Sequence, residues 1–403
     1  MAQDKDQDRI EHLLRRRVVE VIGEDSLRQR LASGKPLRIK LGFDPTAPDI
    51  HLGHTLTLKK IKEFQDLGHQ IVFIVGDYTA RVGDPTGKSR TRPMLTEDEV
   101  KDNAATYLAQ IGKILDVDKA EVRHNSEWFS RMAFADIISL TSKFTVARMI
   151  ERDDFENRLN EGIDIHMHEL LYPMMQAYDS VMVEADVEMG STDQRFNILA
   201  GRELQRKMGH EPQDVMLIGP ILVGTDGVRK MSKSLDNYIG IDEPPEEIYG
   251  KVMSIPDAVL WDYYLLVTDV DEVEIDNMRD RCGRGEMNPR DAKARLAAEI
   301  VTAYHSEEAA RQAEGHFRKV FREKGVPDEV PETATAGGVR PVIELLVESG
   351  LAGSKSEARR LIAQKGIRVE GEIVDDEAAT VEVSAAGRLI QKGKRHFVRV
   401  KAK

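Results

Sequence analysis

Apolar residues follow two different spacings in the first part of the chain, and each spacing predicts one kind of element. Residues 37–41 form a short apolar-rich segment, and apolar residues then recur every three positions from Leu58 to Leu67, just before Gly68. That spacing predicts a helix, which a glycine would end. Gln70–Val75 is apolar after its first residue, which is typical of a strand buried on both faces. We therefore predict a strand–helix–strand unit in a parallel sheet, with a right-handed crossover.

The remaining pattern predicts an α/β protein of several domains. Strand signals return near Val181 and over 215–223, and a stretch rich in Pro, Thr, Ala and Gly follows a long helical region. We predict a Rossmann-like parallel-sheet catalytic domain with a helical insertion, then an all-helical domain and a small α+β RNA-binding module. The predicted ranges are 1–225 for the first domain with its insertion at about 101–186, 226–250 for an exposed mobile loop and connector, 251–324 for the helical domain, 325–337 for a linker and 338–403 for the module.

Composition narrows the class of protein. The chain has 403 residues, 41% of them hydrophobic, a net charge of −12 and one cysteine, Cys282. These values predict a folded protein of the reducing cytoplasm, without disulfides or cysteine-ligated zinc. No apolar run approaches the ~20 residues that span a bilayer, so no membrane partner is expected. The acidic balance argues against a protein that coats nucleic acid indiscriminately, and we expect no DNA partner.

The module 338–403 carries charge of the opposite sign. It holds 13 Lys and Arg against 9 Asp and Glu. This excess favours contact with a polyanion, although a chance surface excess in a small domain is the alternative. Ser354 and Glu357 form a capping box that starts a helix, and Arg359, Arg360 and Lys365 lie on or near this helix. We predict that these three side chains contact RNA phosphates.

A dense apolar cluster lies within the helical insertion. So many apolar residues in a short segment indicate either a buried core or the face of a homodimer. Of these two interpretations, the homodimer face is slightly favoured. The cluster consists of Ile137, Ile138, Phe144, Val146, Met149 and Ile150.

Two motifs resemble well-known sites but lack the spacing that those sites need. Residues 83–89 look like a phosphate-binding P-loop, but only three residues separate the glycines and Pro85 removes a backbone donor. His166 and His168 are two positions apart, whereas a helical zinc site needs a spacing of four. We therefore predict neither a P-loop nor a metal site.

Two other segments carry stronger signals for an anionic ligand. Lys230-Met231-Ser232-Lys233-Ser234 places two ammonium groups three residues apart, beside hydroxyl groups, after a glycine-punctuated run. Far upstream, His51 and His54 stand three positions apart at a predicted helix start, with Gly53 between them. A helix N-terminus attracts anions, and glycine leaves room for a flat ligand. Either segment alone is weak evidence for a nucleotide site, but the two together predict one.

These residues resemble the signatures of class I aminoacyl-tRNA synthetases. Residues 42–54 look like the first signature, and Lys230 to Ser234 matches the second signature letter for letter. Residues 172–179 and 193–197 resemble the tyrosyl-tRNA synthetase family, and the tail looks like the RNA-binding module shared with ribosomal protein S-four. The resemblance covers nearly the whole chain. It implies a homodimer that uses ATP, with Mg²⁺ as the companion of ATP, to join L-tyrosine to tRNA(Tyr).

The resemblance also implies roles for individual residues. The implied catalytic group binds the phosphates or ribose and closes over the pyrophosphate: Thr46, His51, His54, Lys230, Lys233 and Ser234. The other ATP-binding positions are Gly42, Gly53, Asp193, Leu222 and Val223. The implied tyrosine pocket holds the ammonium at Asp84, Tyr172 and Gln176 and the phenolic hydroxyl at Asp179, with Asp44 and Gln194 nearby.

Three positions depart from the best-known branch of the family. Lys40 replaces a tyrosine that touches the substrate hydroxyl, Glu188 replaces a glutamine, and Ser191 replaces a glycine beside the ribose. The roles of these three side chains stay open at this stage. Three other functions also stay open: a tryptophanyl-tRNA synthetase, a catalytically silent RNA-binding protein, and a small nucleotidyltransferase that makes another acyl-adenylate. Tyr178-Asp179 favours tyrosine over tryptophan, because a carboxylate suits a phenol.

Overall fold

The protein is described by a computed structural model that covers residues 2–45, 49–84, 96–321, 330–393 and 396–402. The chain forms two compact units, Met1–Tyr304 and His305–Lys403. Thr46, which the resemblance placed in the catalytic group, lies outside the described residues, as does most of the P-loop-like segment.

The first unit is built around a mostly parallel sheet. Within the described residues the strand order is β1-β6-β5-β2-β3-β4, and β1 runs antiparallel to β6 while the other neighbours are parallel. The predicted α/β fold with a parallel sheet is confirmed. The strands are β1 Val18–Ile22, β2 Arg38–Phe43, β3 Gln70–Val75, β4 Glu121–His124, β5 Val187–Ser191 and β6 Asp214–Ile218.

Helices alternate with the strands of the sheet and form most of the first unit after β6. Their bounds are α1 Ala2–Arg15, α2 Glu24–Ala32, α3 Leu52–Asp66, α4 Glu97–Ile111, α5 Ser126–Phe129, α6 Phe134–Thr141, α7 Val146–Ile150, α8 Asp153–Asn160, α9 Tyr172–Met182, α10 Arg195–Lys207, α11 Pro245–Ser254, α12 Leu260–Val267, α13 Glu272–Gly283 and α14 Pro289–Tyr304.

The predicted strand–helix–strand unit is present as β2, α3 and β3. Helix α3 begins after His51 and ends just before Gly68, whose φ of 87° is the left-handed conformation that terminates helices. From Ile71 to Val75, strand β3 is almost completely buried, as its continuous apolar run predicts. Strand order reverses between β2 and β5, since β3 and β4 lie on one side and β6 on the other. Such a switch point opens a crevice at the carboxyl ends of the strands.

Two sequence interpretations of the first unit were wrong in part. The segment 101–186 contains strand β4, which pairs with β3. Its residues Glu121, Val122, Arg123 and His124 are mostly charged or polar, so the strand has no apolar run to reveal it. Val181 lies in helix α9, and the strand expected near it begins at Val187. The apolar residues at the end of α9 face the core at helical spacing, which resembles a strand over a short window.

Where the structure describes it, the second unit combines helices with two sheets. Its elements are α15 Glu307–Phe321, β7 Glu332–Thr335, β8 Gly338–Pro341, α16 Val342–Glu348, α17 Lys355–Ala363, β9 Ile367–Val369, β10 Glu372–Val374, β11 Thr380–Val383, β12 Arg388–Lys392 and β13 His396–Ala402. Strand β7 pairs with β13, although it lies inside the segment 325–337 that composition predicts as a linker. Buried apolar residues of α16, α17, β9, β12 and β13 form one core.

No helix in the described ranges has both the length and the apolar character needed to cross a membrane.

Candidate active site

Two cavities lie side by side at the switch point of the sheet. The first has a volume of about 290 Å³ and the second about 230 Å³, and Gly53, His54, Thr57 and Ser191 line both. Of the residues singled out in the sequence, the first cavity is lined by Gly42, Asp44, Gly53, His54, Asp84, Tyr172, Gln176, Asp179, Glu188, Ser191 and Gln194. The second is lined by His51, Gly53, His54, Ser191, Asp193, Leu222 and Lys230.

This division separates the two ligand sets that the resemblance implies. All six residues of the implied tyrosine set line the first cavity. Most described residues of the implied ATP set line the second, although Gly42 lines the first and Gly53 and His54 line both. Val223, Lys233 and Ser234 line neither cavity, and Val223 instead forms a short antiparallel bridge with Lys230. The hydroxyl of Ser234 lies 2.9 Å from that of Ser232.

The two histidines form a stacked pair at the start of α3. Their ring centroids are 3.8 Å apart. The backbone N–H of Gly53 donates to Nδ1 of His51 at 3.2 Å, and the backbone N–H of His51 donates to Nδ1 of His54 at 3.3 Å. Since each Nδ1 accepts a hydrogen bond, each neutral ring carries its proton on Nε2 and can donate it to a ligand.

Both imidazoles are neutral near pH 7. Burial lowers the pKa of His51 to about 2, with help from His54 and from the positive charge of Lys233. Burial and Lys233 also lower the pKa of His54 to about 4, although its ring opens onto the cavities. The rings therefore offer hydrogen bonds, while positive charge at this site comes from lysine and from the amino end of α3.

The lysine segment lies against the histidine segment. The ammonium of Lys233 is 2.6 Å from a carboxylate oxygen of Asp49, two residues before His51. The chain beyond the lysine segment pairs with the same region, because Leu52 N–H donates to the carbonyl of Ile239 at 3.0 Å. The two signatures, 179 residues apart at their first histidine and first lysine, thus meet in one place. Asn237, which is buried, holds the base of the loop by accepting from Ser232 N–H at 2.8 Å.

The floor of the first cavity contains a carboxylate bound to a phenol. Tyr172 donates its hydroxyl to Asp44 at 2.9 Å, and Thr79 donates to the other oxygen of Asp44 at 2.7 Å. Gly76 makes this arrangement possible, because a Cβ there would lie 2.0 Å from Asp44 Oδ1. Burial and the charge of Asp44 raise the pKa of Tyr172 well above its usual value, so its phenol stays protonated.

Asp84 is held by two side chains that come from distant parts of the chain. Arg152 donates to Oδ1 at 3.0 Å, and Gln194 donates to Oδ2 at 2.9 Å. Arg152 follows α7 in the helical insertion and is almost completely buried. The arrangement fixes the Asp84 carboxylate at the wall of the first cavity.

Asp179 is a buried carboxylate with fixed neighbours. Trp128 donates its indole N–H to Oδ1 at 2.9 Å, and Asn125 donates to Oδ2 at 3.3 Å. Burial raises the pKa of Asp179 to about 7, against the opposing effects of Lys40 and of these two donors. A carboxyl group poised in this way gains from a further hydrogen-bond donor in the cavity.

The three departing positions have defined contacts. Lys40 and Glu188 form a buried ion pair with a 2.9 Å separation. Ser191 turns its hydroxyl toward Asp193 and donates to that carboxylate. The side chain at 191 is therefore tied to the residue that the resemblance assigns to the ribose.

Several of these contact residues were missed in the sequence. Asn125 and Trp128 follow β4, so recognising that strand would have placed them at the carboxyl edge of the sheet. Asp49 stands within the first signature. The available signal was an acidic side chain in one of two segments predicted to form a single site, the other of which is rich in lysine. Arg152 had no signal, because its contact with Asp84 depends on the packing of the insertion.

The predicted RNA-binding residues lie in the second unit. Ser354 caps α17 by accepting the N–H of Glu357 at 3.2 Å, as predicted. Arg359 and Arg360 are on the exposed part of this helix, and Lys365 follows it. Arg359 lies 3.7 Å from Glu377 and Lys365 lies 3.6 Å from Asp375, so both are in loose, exposed ion pairs.

Comparison with protein families gives two matches that together span most of the chain. Residues 32–322 match the family of class I tRNA synthetases (W and Y). Residues 322–400 match the Tyrosine--tRNA ligase SYY-like C-terminal domain.

Curated relatives and solved structures agree with these matches. The chain is 53% identical to the tyrosine--tRNA ligase of Moorella thermoacetica over 392 residues, which is 96% of this chain and 94% of the relative. It is 51% identical to that of Thermotoga maritima over 388 residues, 96% of each. The solved tyrosyl-tRNA synthetase of Archaeoglobus fulgidus, a complex with L-tyrosine, aligns with a TM-score of 0.62 at 25% identity, covering 77% of this chain and 100% of that one. A truncated mitochondrial tyrosyl-tRNA synthetase of Aspergillus nidulans gives a TM-score of 0.64 at 22% identity, covering 78% and 94%.

Proposed function

The chain belongs to the tyrosine--tRNA ligases among the class I tRNA synthetases, and we propose that its two cavities divide the reaction between the amino acid and ATP. The family resemblance read from the signature residues is confirmed. The enzyme activates L-tyrosine with ATP and transfers the tyrosyl group to tRNA(Tyr). The single observation that supports the proposed division is that the implied tyrosine set lines one cavity and most of the implied ATP set lines the adjoining one.

The first cavity would bind tyrosine between two acidic ends. Asp179 would accept the phenolic hydroxyl, while Asp84, Tyr172 and Gln176 would hold the ammonium. Discrimination against phenylalanine follows from burial, because phenylalanine would leave the Asp179 carboxylate without the donor that the phenol supplies. The same argument disfavours tryptophan, whose indole N–H sits in a different place on a larger ring.

The second cavity would bind ATP with its phosphates at the amino end of α3. Each imidazole would donate Nε2–H to a phosphate oxygen, and Lys230 and Lys233 would supply positive charge. Asp193, with Ser191 bound to it, would accept from the ribose hydroxyls. Leu222, which is buried, would pack against the adenine.

In the first step a carboxylate oxygen of tyrosine attacks the α-phosphorus, and the bond to the β-phosphate oxygen breaks with departure of pyrophosphate. The attacking carboxylate is ionised at pH 7, so the step needs no general base. The protein contributes position and a set of donors aimed at the leaving group. Lys233 would leave Asp49 to reach the pyrophosphate as it departs.

Mg²⁺ would accompany ATP as its counter-ion and neutralise phosphate charge. Among the residues that the structure describes, no group of three or more His, Cys, Asp and Glu side chains is arranged to hold a metal ion. The lysines and imidazoles fit a magnesium nucleotide, because they contact phosphate and leave the metal to phosphate and water oxygens.

In the second step a terminal ribose hydroxyl of tRNA(Tyr) attacks the adenylate carbonyl and releases AMP. The second unit would bind the tRNA through phosphate contacts from Arg359, Arg360 and Lys365. Such contacts would position the RNA without reading its sequence.

The helical insertion would supply a homodimer face. In the predicted apolar cluster, Val146 is 62% exposed and Ile138 54%, whereas Met149 is buried. Phe134, which lies outside that cluster but on the same helix as Ile138, is 76% exposed. Several large apolar side chains exposed on one insertion are typical of an interface. Phe134→Glu should convert a dimer to a monomer in analytical ultracentrifugation, and a wild-type protein that already sediments as a monomer would refute this part of the proposal.

One assay separates the candidate functions. ATP–pyrophosphate exchange should depend on tyrosine and show far weaker activity with tryptophan or phenylalanine. Exchange supported best by tryptophan, or by no amino acid, would contradict the proposal.

A further inference from the structure

A buried ion pair lies at the first cavity, which Glu188 lines. Lys40 on β2 and Glu188 on β5 face each other as register partners on neighbouring strands, with Nζ 2.9 Å from Oε1. Their exposed fractions are 0% and 1%. A buried pair of this kind contributes little net stability compared with apolar residues, because desolvation offsets the attraction. Its position beside the cavity suggests a role there.

The ammonium of Lys40 ties helix α9 to the sheet. Besides Glu188, it donates to the backbone carbonyl oxygen of Gln176 at 3.0 Å and to the hydroxyl of Ser180 at 2.7 Å. Both acceptors belong to α9, which also carries Asp179. All three donors of the ammonium are thereby used.

The carboxylate of Glu188 is held from the other side. Its Oε2 accepts from Ser180 Oγ at 2.8 Å and from Gln213 Nε2 at 2.5 Å. Gly201 leaves space for these contacts, because a Cβ there would lie 2.8 Å from Gln213 Nε2 and 3.0 Å from Ser180 Oγ. The carboxylate therefore has one fixed orientation, which leaves Oε1 facing Lys40 and Gln176.

This orientation determines how one cavity residue presents its amide. Gln176 donates Nε2–H to Glu188 Oε1 at 3.3 Å. A carboxylate can only accept hydrogen bonds, so it favours the amide orientation in which nitrogen faces Glu188 and the carbonyl oxygen is left for another donor. A glutamine at position 188 would accept either orientation, since its own amide both donates and accepts.

We propose that Lys40 and Glu188 are positioning residues for the amino group of the substrate: Glu188, held in place by Lys40, fixes the Gln176 amide with its carbonyl oxygen turned to the tyrosine ammonium. This inference depends on the proposed function, which places Gln176 at that ammonium. An amide oxygen accepts from an ammonium group, whereas an amide N–H would repel it.

The two charges act on Asp179 in opposite directions. Lys40 lowers the pKa of Asp179 and Glu188 raises it. Replacing Glu188 by a neutral residue therefore does not weaken the contact between Asp179 and the substrate phenol. Any loss of tyrosine binding should come from the contacts to the ammonium. An analogue without the amino group can tell the two ends apart.

The test compares two ligands in Glu188→Gln. Equilibrium dissociation constants are measured for L-tyrosine and for 3-(4-hydroxyphenyl)propionate, which keeps the phenol and carboxylate but lacks the ammonium. We expect Glu188→Gln to weaken tyrosine at least tenfold, to change the analogue less than twofold and to leave the KM for ATP unchanged. Lys40→Met/Glu188→Gln removes both charges and covers the case in which the single variant does not fold. Because the loss of Lys40 raises the pKa of Asp179 and so weakens both ligands alike, the readout of this variant is the ratio of the two dissociation constants, which should rise by the same factor as in Glu188→Gln.

A matched control is available in Glu169→Gln. Glu169 forms another buried ion pair, with Arg158 at 2.6 Å, and lines neither cavity. This variant should lower the thermal midpoint and leave the ratio of the two dissociation constants unchanged.

Two results would overturn the inference in distinguishable ways. If Glu188→Gln weakens tyrosine and the analogue equally, or weakens neither, the pair is structural and the proposed function stands. If Gln176→Ala leaves tyrosine binding unchanged, then the assignment of Gln176 to the ammonium fails, and the inference fails with it.

Discussion

The ammonium of Lys233 lies 2.6 Å from the carboxylate of Asp49, so the second signature of the chain is ion-paired with the first. Both side chains are partly exposed, at 25% and 45%. Exposed pairs of this kind contribute at most ~1 kcal/mol, so a triphosphate can displace Asp49 from the lysine. Asp49 therefore keeps Lys233 close to the site and competes weakly with ATP.

Replacing Asp49 should favour ATP binding slightly. Asp49→Asn removes the competing carboxylate, and a pair worth up to ~1 kcal/mol corresponds to a fall of up to about fivefold in the KM for ATP. Steady-state pyrophosphate exchange measures this, with the KM for tyrosine expected to stay constant. A rise in the KM for ATP would mean that Asp49 contacts the nucleotide directly.

Removing Lys233 should slow the chemical step without affecting tyrosine binding. Lys233→Ala deletes one donor aimed at the leaving pyrophosphate, which typically slows a reaction by ~10²–10³. Single-turnover adenylate formation gives the rate, and equilibrium titration gives the tyrosine affinity. Lys62→Ala, which removes an exposed lysine paired with Asp66, is the matched control. Equal losses in rate and in tyrosine affinity would contradict the role assigned to Lys233.

Tyrosine recognition should depend on pH through Asp179. Its pKa is raised to about 7 by burial, with Lys40, Asn125 and Trp128 lowering it and Glu188 raising it. The phenol donates best to the ionised form, so kcat/KM for tyrosine should rise severalfold from pH 6 to pH 7.5. His51 and His54 do not titrate in this range, because burial keeps their pKa values near 2 and 4.

The control for this pH profile is Asp179→Asn, which has no carboxyl to titrate. Its kcat/KM for tyrosine should be low and flat over the same range, and its preference for tyrosine over phenylalanine should shrink. A wild-type profile without any rise would show that Asp179 stays ionised or does not face the phenol.

The second unit should affect tRNA and leave amino-acid activation unchanged. Arg359→Ala/Arg360→Ala removes two cations from α17, and each lost phosphate contact should reduce the salt dependence of tRNA binding by a slope of about 1. Aminoacylation at varied tRNA and salt measures this, with pyrophosphate exchange unchanged. Arg15→Ala, on the exposed end of α1, serves as the control. A loss of exchange in the double variant would indicate a structural role for these arginines.

The sequence predicted local structure well where one physical signal dominated. Gln70–Val75 has a continuous apolar run and forms β3 with those bounds, and the helix after His51 ends at its glycine. Strand β4 was missed because its pattern is polar. Asn125 and Trp128, which follow β4 and donate to Asp179, were missed for the same reason. Local periodicity contains no signal for such an element.

The contacts within the site depend on packing that no local pattern contains. Lys40 and Glu188 are 148 positions apart, and they meet only because β2 and β5 are neighbours in a particular register. Arg152 reaches Asp84 across 68 positions of chain. The sequence thus indicated which residues belong to the site, through the two signatures, but not how their charges are paired.

A crystal structure with a non-hydrolysable analogue of tyrosyl-adenylate would test the division of the site most directly. We expect the phenolic oxygen at hydrogen-bond distance from Asp179 and the ribose at Asp193. We expect the ammonium at Asp84 and at the side-chain amide oxygen of Gln176. A complex with the tyrosyl ring in the second cavity, or with its hydroxyl away from Asp179, would contradict the account.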